Sequence, residues 1–168
     1  MITLVLGGAR SGKSAVAERR AAALADGDGA VVYVATAIAR GDADFAARIR
    51  AHQERRPASW STVEAGADLV GALRALDDRA VVLVDSLGTW VGAQPELAVD
   101  VDDLLAALNA RTSPSVLVSE EVGLGVHPST EAGLRFRDTL GELNRAVAEV
   151  ADDVLLVVAG RVLPLERA

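Results

Sequence analysis

The sequence predicts an α/β fold in which a mostly parallel central sheet carries helices on both faces. Five short aliphatic and β-branched runs are nearly continuous, which is typical of strands buried on both faces of a parallel sheet. Helical patterns of ten or more residues separate them, as in βαβ units. The chain has 168 residues, of which 51% are apolar and 24% charged, and no composition shift divides it. We therefore expect one globular domain over 1–168.

The expected elements alternate along the chain. Strands are expected at 2–6, 30–34, 80–84, 115–118 and 154–158, with a short edge strand at 60–64. Helices are expected at 13–25, 42–56, 67–76, 101–110 and 129–151. The last helix has the clearest apolar spacing, carried by Phe136, Leu140, Leu143, Val147 and Val150. Its expected N-cap is Ser129, and 92–96 is expected to be a loop.

Composition and charge exclude several classes of function. The formal net charge of −7 gives the long-range field the wrong sign for broad binding to nucleic acid or to anionic membranes. The absence of cysteine excludes disulfides, thiolate zinc sites and cysteine nucleophiles. No apolar run reaches the roughly 18 residues that a membrane span needs. The N-terminus lacks a basic lead and a small-residue cleavage site, so a cytoplasmic protein is expected.

The first helix follows a candidate phosphate-binding loop. The motif G-x-x-x-x-G-K-[ST] is formed by Gly7, Gly8, Ala9, Arg10, Ser11, Gly12, Lys13 and Ser14. Glycines let backbone N–H groups converge on phosphate oxygens, and the helix N-terminus adds partial positive charge. Lys13 is the single lysine beside 16 arginines, and its ammonium is expected to reach the β- and γ-phosphates. The context of strand, loop and helix predicts a nucleoside triphosphate site.

Asp85 ends the predicted strand 80–84 and is the candidate carboxylate of the second half of such a site. Phosphate-loop enzymes hold Mg²⁺ with the loop Ser or Thr and a carboxylate at the end of another strand, here expected to be a neighbouring one. Ser14 and Asp85 are therefore the expected magnesium ligands. The alternative is a turn, because Asp is also common where a strand ends.

Other strand ends add candidates, since ligands of open α/β sheets bind at the carboxyl ends of the strands. Ala35, Thr36 and Ala37 follow the second strand. Glu120 and Glu121 are candidates for a base or a second metal carboxylate, the alternative being charges that face water. The loop at 121–128 contains two glycines before a proline and is expected to face the substrate.

The expected helix at 42–56 carries one of the two histidines. Arg48, His52, Arg55 and Arg56 fall within about a third of its circumference. Three guanidinium groups attract a triphosphate and favour a neutral, nucleophilic imidazole. Phe45 and Ile49 share this face, so a histidine packed between elements is the alternative interpretation.

Several stretches of the chain together match one family. They are GGARSGKS at 7–14, YVATA at 33–37, R-I-x-x-H-x-x-x-R-P-x-x-W-x-T-x-E at 48–64, VDSLGTW at 84–90, EVGLGVHP at 121–128, FRDTLGELNRAVAEVADDVLLVVAG at 136–160 and LPL near the end. Over nearly its whole length the chain thereby resembles the bifunctional adenosylcobinamide kinase/adenosylcobinamide-phosphate guanylyltransferases of cobalamin biosynthesis. The combination of stretches is specific, whereas the phosphate loop alone occurs in many families.

The resemblance implies two reactions. ATP or GTP phosphorylates the aminopropanol hydroxyl of adenosylcobinamide. A histidine then attacks the α-phosphate of GTP, expels pyrophosphate and passes GMP to adenosylcobinamide phosphate, giving adenosylcobinamide-GDP. The histidine implied is His52, and a covalent intermediate of this kind is nucleophilic catalysis.

The resemblance also implies positions for the nucleotide. GTP contacts fall on residues 7–14 and on Ala35, Thr36, Ala37, Gln53, Glu54, Arg55, Arg56, Glu64 and Asp85. The implied fold is of the RecA-like P-loop NTPase type. The implied assembly is a trimer, in which His52 could lie near a neighbouring subunit, and the implied partners are a corrinoid, GTP and ATP, with Mg²⁺.

The chain departs from the family pattern in two places, and its sequence allows two alternative functions. The family's usual Asn before EVG is Glu120 here, and the region after Trp90 is short. One alternative is a simple P-loop kinase of a small metabolite, with His52 structural. The other is a non-catalytic nucleotide-binding module, although no N-K-x-D guanine-recognition motif follows any strand.

Overall fold

A seven-stranded sheet forms the centre of the protein. The computed structural model describes residues 1–25, 29–37 and 57–167. The strands are β1 (Ile2–Gly7), β2 (Val31–Ala35), β3 (Ser61–Glu64), β4 (Val81–Asp85), β5 (Ser115–Glu120), β6 (Asp153–Val158) and β7 (Arg161–Leu165). Their spatial order is β3-β2-β4-β5-β1-β6-β7. All neighbours pair in parallel except β6 and β7, so the carboxyl ends of six strands meet at one edge.

Five helices accompany the sheet in the described residues. They are α1 (Lys13–Leu24), α2 (Leu69–Ala75), α3 (Leu87–Ala93), α4 (Val101–Asn109) and α5 (Glu131–Val150). A short 3-10 turn, Pro95–Leu97, follows α3. None of these helices combines the length and the apolar character needed to cross a membrane.

The strands bury apolar side chains on both faces, as their continuous aliphatic runs predict. On one face, residues such as Leu4, Val82 and Leu117 pack with α2, α3, α4 and α5 in one core. On the other face, Val5 and Val118 pack with α1 in a second core. The predicted α/β class with helices on both faces is therefore confirmed.

Most predicted elements are present, with ends displaced by one or two residues. All five predicted strands form, and the expected edge strand lies at the outer edge as β3. The helices expected at 13–25, 67–76, 101–110 and 129–151 form as α1, α2, α4 and α5. The helix expected at 42–56 lies outside the described residues.

Three sequence expectations are wrong in detail. The expected loop at 92–96 begins inside α3, whose capping box joins Ser86 and Thr89, and continues into the 3-10 turn. The N-cap of α5 is Thr130 and not Ser129, because the Thr130 hydroxyl accepts the Gly133 N–H at 3.1 Å. The last strand, β7, was not expected, since Pro164 interrupts its apolar run and its residues are all exposed.

Candidate active site

The loop of residues 8–12 connects β1 to α1 at the carboxyl edge of the sheet. Gly7 has no room for a side chain, because a Cβ would lie 2.5 Å from the Ser11 Oγ and 2.7 Å from the Val157 carbonyl oxygen. Gly12 has φ 93°, a left-handed conformation that favours glycine. The Gly160 N–H donates to the Ser11 carbonyl at 2.8 Å. The motif therefore folds as a tight loop, which is tied to the β6–β7 turn.

Lys13 is the first residue of α1, and its side chain turns back over the loop. The Nζ lies 3.5 Å from the Gly8 carbonyl oxygen and 3.4 Å from Oε1 of Glu120. Only 12% of the Lys13 side chain is exposed, against 28% for Glu120. The ammonium is thus held between the Gly8 carbonyl and the Glu120 carboxylate, and in this motif the lysine is the residue that reaches the β- and γ-phosphates. Ser14 follows it in the first turn and is partly buried.

The sheet register brings three expected contact residues into one row. Ala35 pairs with Glu64 on β3 and with Asp85 on β4. Asp85 is partly buried, whereas Glu64 is exposed on the edge strand. The Tyr33 hydroxyl donates to Oδ2 of Asp85 at 3.0 Å. The expectation that Asp85 ends a strand neighbouring β1 is wrong, because β5 lies between β1 and β4.

A hydroxyl network joins the ends of β2 and β4. The Thr36 hydroxyl donates to the Ser86 carbonyl at 2.7 Å and accepts the Ser86 N–H at 2.9 Å. It also lies 2.5 Å from the Thr89 hydroxyl, the partner of Ser86 in the α3 capping box. Thr36 is fully buried, so it fixes this segment from within, while Ala37 beyond it is partly exposed.

Glu120 occupies the position beside the phosphate loop that the sequence left open between a base, a metal ligand and a solvated charge. It pairs with Gly7 across the β1–β5 register. The Ser86 hydroxyl lies 3.0 Å from each carboxylate oxygen of Glu120. The solvated-charge interpretation is therefore wrong for Glu120, because Lys13 and Ser86 both contact its carboxylate. Sequence analysis raised Glu120 but could not place it against Lys13, since 107 residues separate the two in the chain.

Glu121 and the following loop differ from Glu120. The Glu121 carboxylate accepts the Gly123 N–H at 2.7 Å and so stabilises the start of the loop. Leu124 and Val126 are 83% and 96% exposed, although both are large apolar residues. His127 is exposed, and its Nδ1 lies 3.0 Å from the Pro128 carbonyl oxygen. The loop extends from the carboxyl end of β5, next to Glu120.

The remaining expected site residues lie outside the described part of the chain. They are His52, Gln53, Glu54, Arg55 and Arg56. Their segment leaves the described residues just after Ala37 and returns at Pro57, shortly before β3. The described residues that flank this segment, Ala37 and Pro57, therefore lie near β2 and β3.

The donor set at this edge fits a magnesium ion bound mainly through phosphates. Within 1–25, 29–37 and 57–167, no group of three or more His, Asp or Glu side chains could hold a metal by itself. Mg²⁺ prefers oxygen ligands and is commonly bound by one or two protein groups together with substrate phosphates and waters. The Ser14 hydroxyl and the Asp85 carboxylate are ligands of this kind.

Comparison with known proteins gives a consistent result. A family model described as cobinamide kinase / cobinamide phosphate guanyltransferase matches residues 3–165. The bifunctional adenosylcobalamin biosynthesis protein CobP of Pseudomonas aeruginosa is 40% identical, covering 99% of this chain and 98% of that protein. The protein CobU of the same description from Salmonella typhimurium is 38% identical, covering 95% of this chain and 97% of that protein.

One solved structure has a similar fold. The flagellar accessory protein FlaH of Methanocaldococcus jannaschii superposes with a TM-score of 0.51 at 15% sequence identity. The match covers 96% of this chain and 74% of that one. At this identity the likeness concerns the fold alone.

Proposed function

The chain belongs to the cobinamide kinase / cobinamide phosphate guanyltransferase family, and we propose that it carries out both activities in one domain. In the kinase reaction, ATP or GTP phosphorylates the hydroxyl of adenosylcobinamide. In the second reaction, GTP donates GMP to adenosylcobinamide phosphate, giving adenosylcobinamide-GDP and pyrophosphate. Transfer of a phosphoryl group and of a nucleotidyl group both require a bound triphosphate, and we propose that the phosphate loop holds it in both reactions.

The observation that carries this proposal is the position of Lys13 in the folded phosphate loop. Its ammonium lies over the loop, and the loop's backbone is fixed by Gly7 packing and by the Gly160–Ser11 hydrogen bond. Such a loop binds the phosphates of a triphosphate through backbone N–H groups and the lysine. Residues 7–14 are therefore proposed to hold the triphosphate of both ATP and GTP.

We assign the guanylyl-transfer nucleophile to His52. Its imidazole nitrogen would form a bond to the α-phosphorus of GTP while the bond to the β-phosphate oxygen breaks and pyrophosphate leaves. A phosphate oxygen of adenosylcobinamide phosphate would then displace the imidazole. The family resemblance of 48–64 supports this role, and Gln53, Glu54, Arg55, Arg56 and Glu64 are proposed to contact the nucleotide.

The same site is proposed to bind Mg²⁺ through Ser14 and Asp85. Bound Mg²⁺ neutralises charge on the β- and γ-phosphates and so favours phosphoryl transfer. Ala35, Thr36 and Ala37 are proposed to line the nucleotide beside Asp85, where the buried Thr36 network holds the end of β2.

The corrinoid is proposed to contact the loop at 121–128, hereafter the apolar loop. Its Leu124 and Val126 are exposed, and the loop that carries them begins directly after Glu120 at the end of β5. The proposed assembly is a homotrimer, which size-exclusion chromatography with light scattering would show as three times 17.4 kDa. A cytoplasmic location is proposed, because both reactions consume nucleoside triphosphates.

A labelling experiment tests the function. The protein is incubated with Mg²⁺ and GTP labelled at the α-phosphate, or in parallel at the γ-phosphate, and is then denatured. We expect acid-labile, alkali-stable label from the α-position alone, absent in His52→Ala. The matched control is His127→Ala, which removes the only other histidine of the sequence and should keep the label.

The outcomes separate the proposed function from its competitors. No covalent label despite GTP binding would contradict the guanylyl intermediate. Adding adenosylcobinamide and ATP to that protein would then separate a simple kinase, which forms the phosphate ester, from a binding module, which does not.

A further inference from the structure

Glu120 places a carboxylate beside Lys13, the proposed phosphate-binding lysine. We propose that Glu120, which stands where the family usually has Asn, is in this chain the catalytic base of the kinase step and takes the proton of the acceptor hydroxyl as the γ-phosphoryl group is transferred. This assignment rests on the proposed function, because it concerns one of its two reactions.

The backbone of Glu120 is fixed against the phosphate loop. Glu120 pairs with Gly7 in the sheet. The N–H of the following residue, Glu121, donates to the Gly7 carbonyl at 3.1 Å. On the other side, Asn144 of α5 donates its Nδ2 to the Glu120 carbonyl at 3.0 Å. The buried Ser119 hydroxyl donates to Oδ1 of Asn144 at 2.5 Å and so holds the Asn144 side chain in place. These hydrogen bonds fix the backbone at Glu120, and so they fix the direction in which the Glu120 side chain extends from β5.

The side chain is also held in place. The Ser86 hydroxyl is 3.0 Å from both carboxylate oxygens, and Lys13 Nζ is 3.4 Å from Oε1. The carboxylate lies against Gly88, where a Cβ would come within 2.0 Å of Oε2. A side chain at residue 88 would thus displace the carboxylate, so Gly88 leaves the space that Glu120 fills.

Binding of a triphosphate would change the partners of Lys13. The ammonium would turn to the β- and γ-phosphates, and the Glu120 carboxylate would remain on Ser86, next to the terminal phosphate. The negative charge of the Glu120 carboxylate repels the phosphate and so weakens phosphate binding. Its position instead suits a proton acceptor, since a general base must lie within hydrogen-bond reach of the attacking hydroxyl.

The other described carboxylates at this edge are less well placed for that task. Asp85 lies one strand further from β1, accepts the Tyr33 hydroxyl and is the proposed magnesium ligand. Glu64 lies on the outer edge strand β3. Glu121 is turned into its own loop by the Gly123 N–H. In the described part of the chain, the carboxylate that forms an ion pair with Lys13 is that of Glu120.

The acceptor O–H bond breaks, and the proton goes to a Glu120 carboxylate oxygen. The acceptor oxygen bonds to the γ-phosphorus, and the bond from this phosphorus to the β–γ bridging oxygen breaks with its electron pair on the leaving diphosphate. Glu120 afterwards releases the proton to water.

The two activities differ in their need for such a base, which provides an internal comparison. Guanylylation of a neutral imidazole and the later attack by a phosphate oxygen involve no hydroxyl proton. Loss of the Glu120 carboxylate should therefore impair phosphoryl transfer and spare guanylyl transfer.

The test compares Glu120→Gln, Glu120→Asp and the wild-type enzyme, with Glu149→Gln on the exposed side of α5 as the matched control. Kinase kcat is measured with ATP and adenosylcobinamide across pH, and guanylylation by label from the α-phosphate of GTP. We expect Glu120→Gln to lower kinase kcat by about 10²-fold or more. Guanylylation and nucleotide affinity should stay at or above the wild-type level.

The pH profile distinguishes a base from a structural residue. In the wild type, kinase kcat should have a rising limb with pH, as expected of a step that needs a general base, and this limb should vanish in Glu120→Gln. Glu120→Asp keeps an ionisable group, so it should keep the limb at lower kcat. Glu149→Gln should match the wild type in every measurement.

Three results would overturn the assignment. One is kinase kcat in Glu120→Gln close to the wild-type value, and another is an equal loss in both reactions. The third is a Glu120→Asp profile without the limb, which decides the matter even where Glu120→Gln does not fold. A wild-type protein without kinase activity would instead overturn the proposed function, and this assignment with it.

Discussion

The Tyr33 hydroxyl donates a hydrogen bond to Oδ2 of Asp85 across the pair of strands β2 and β4. Tyr33 is 4% exposed, so its ring is fixed in the core beneath α1. A carboxylate held through one oxygen by a buried phenol has little rotamer freedom. The bond therefore orients Asp85 at the carboxyl edge of the sheet.

Asp85→Asn is expected to weaken the dependence on Mg²⁺ more than nucleotide binding. An amide is a poor ligand for a hard cation, whereas the phosphate loop is untouched. The concentration of Mg²⁺ that gives half-maximal kinase rate should rise about tenfold or more, by analogy with lost metal-site partners. GTP affinity is measured in parallel with a fluorescent analogue. Equal Mg²⁺ dependence in mutant and wild type would reject the metal role of Asp85.

Tyr33→Phe perturbs Asp85 more mildly than Asp85→Asn does. It removes the donor and keeps the ring, so the Asp85 carboxylate stays but loses its orienting bond. We expect a shift of the Mg²⁺ titration in the same direction as Asp85→Asn and smaller than it. A larger shift than that of Asp85→Asn would contradict an orienting role.

Lys13→Ala should abolish triphosphate binding and both activities. The variant removes charge-assisted contacts to the phosphates, which contribute about 1.5–3 kcal/mol each. It also leaves Glu120 without its cation, so the phosphates would face an unpaired carboxylate. Lys13→Arg should bind triphosphate little better than Lys13→Ala, because a planar guanidinium does not replace a compact ammonium in this loop. Binding is measured by calorimetry, and normal turnover in Lys13→Ala would refute the phosphate-loop assignment.

The class of fold could be predicted because it depends on local patterns. Continuous aliphatic runs and intervening amphipathic segments identify β1, β2, β4, β5 and β6 without any tertiary information. The strand–loop–helix arrangement around residues 7–14 could be predicted for the same reason, since its glycines, lysine and flanking elements are contiguous. The spatial order of the strands is not local, and Asp85 was accordingly placed one strand too close to β1.

The parts that sequence analysis missed depend on long-range contacts. β7 is stabilised by pairing with β6 and not by burial, so its sequence lacks the core pattern of the other strands. The short helix α3 is fixed by Ser86 and Thr89 together with the distant Thr36. The Lys13–Glu120 contact likewise exists only because β1 and β5 are neighbours in the sheet.

Asn144→Ala is expected to lower the free energy of unfolding by about 1–3 kcal/mol, because it leaves the Ser119 hydroxyl and the Glu120 carbonyl without their partner. Asn144 is 7% exposed, and Ser119 is fully buried, so water cannot readily substitute. Urea unfolding followed by circular dichroism measures the effect. The control is Arg145→Ala, an exposed neighbour on α5 that should change stability by no more than about 0.5 kcal/mol. Equal stability of Asn144→Ala and wild type would show that these hydrogen bonds contribute nothing.

The double substitution Leu124→Ser and Val126→Ser tests the apolar loop as a corrinoid contact. Both side chains are almost fully exposed, so the change should leave folding and GTP affinity intact. Burial of each side chain against a large apolar ligand contributes about 1.5–3 kcal/mol when complete. We therefore expect KM for adenosylcobinamide to rise about tenfold or more, while α-phosphate labelling by GTP is unchanged. An unchanged KM would place the corrinoid elsewhere, and a loss of labelling would show that the loop acts on the nucleotide instead.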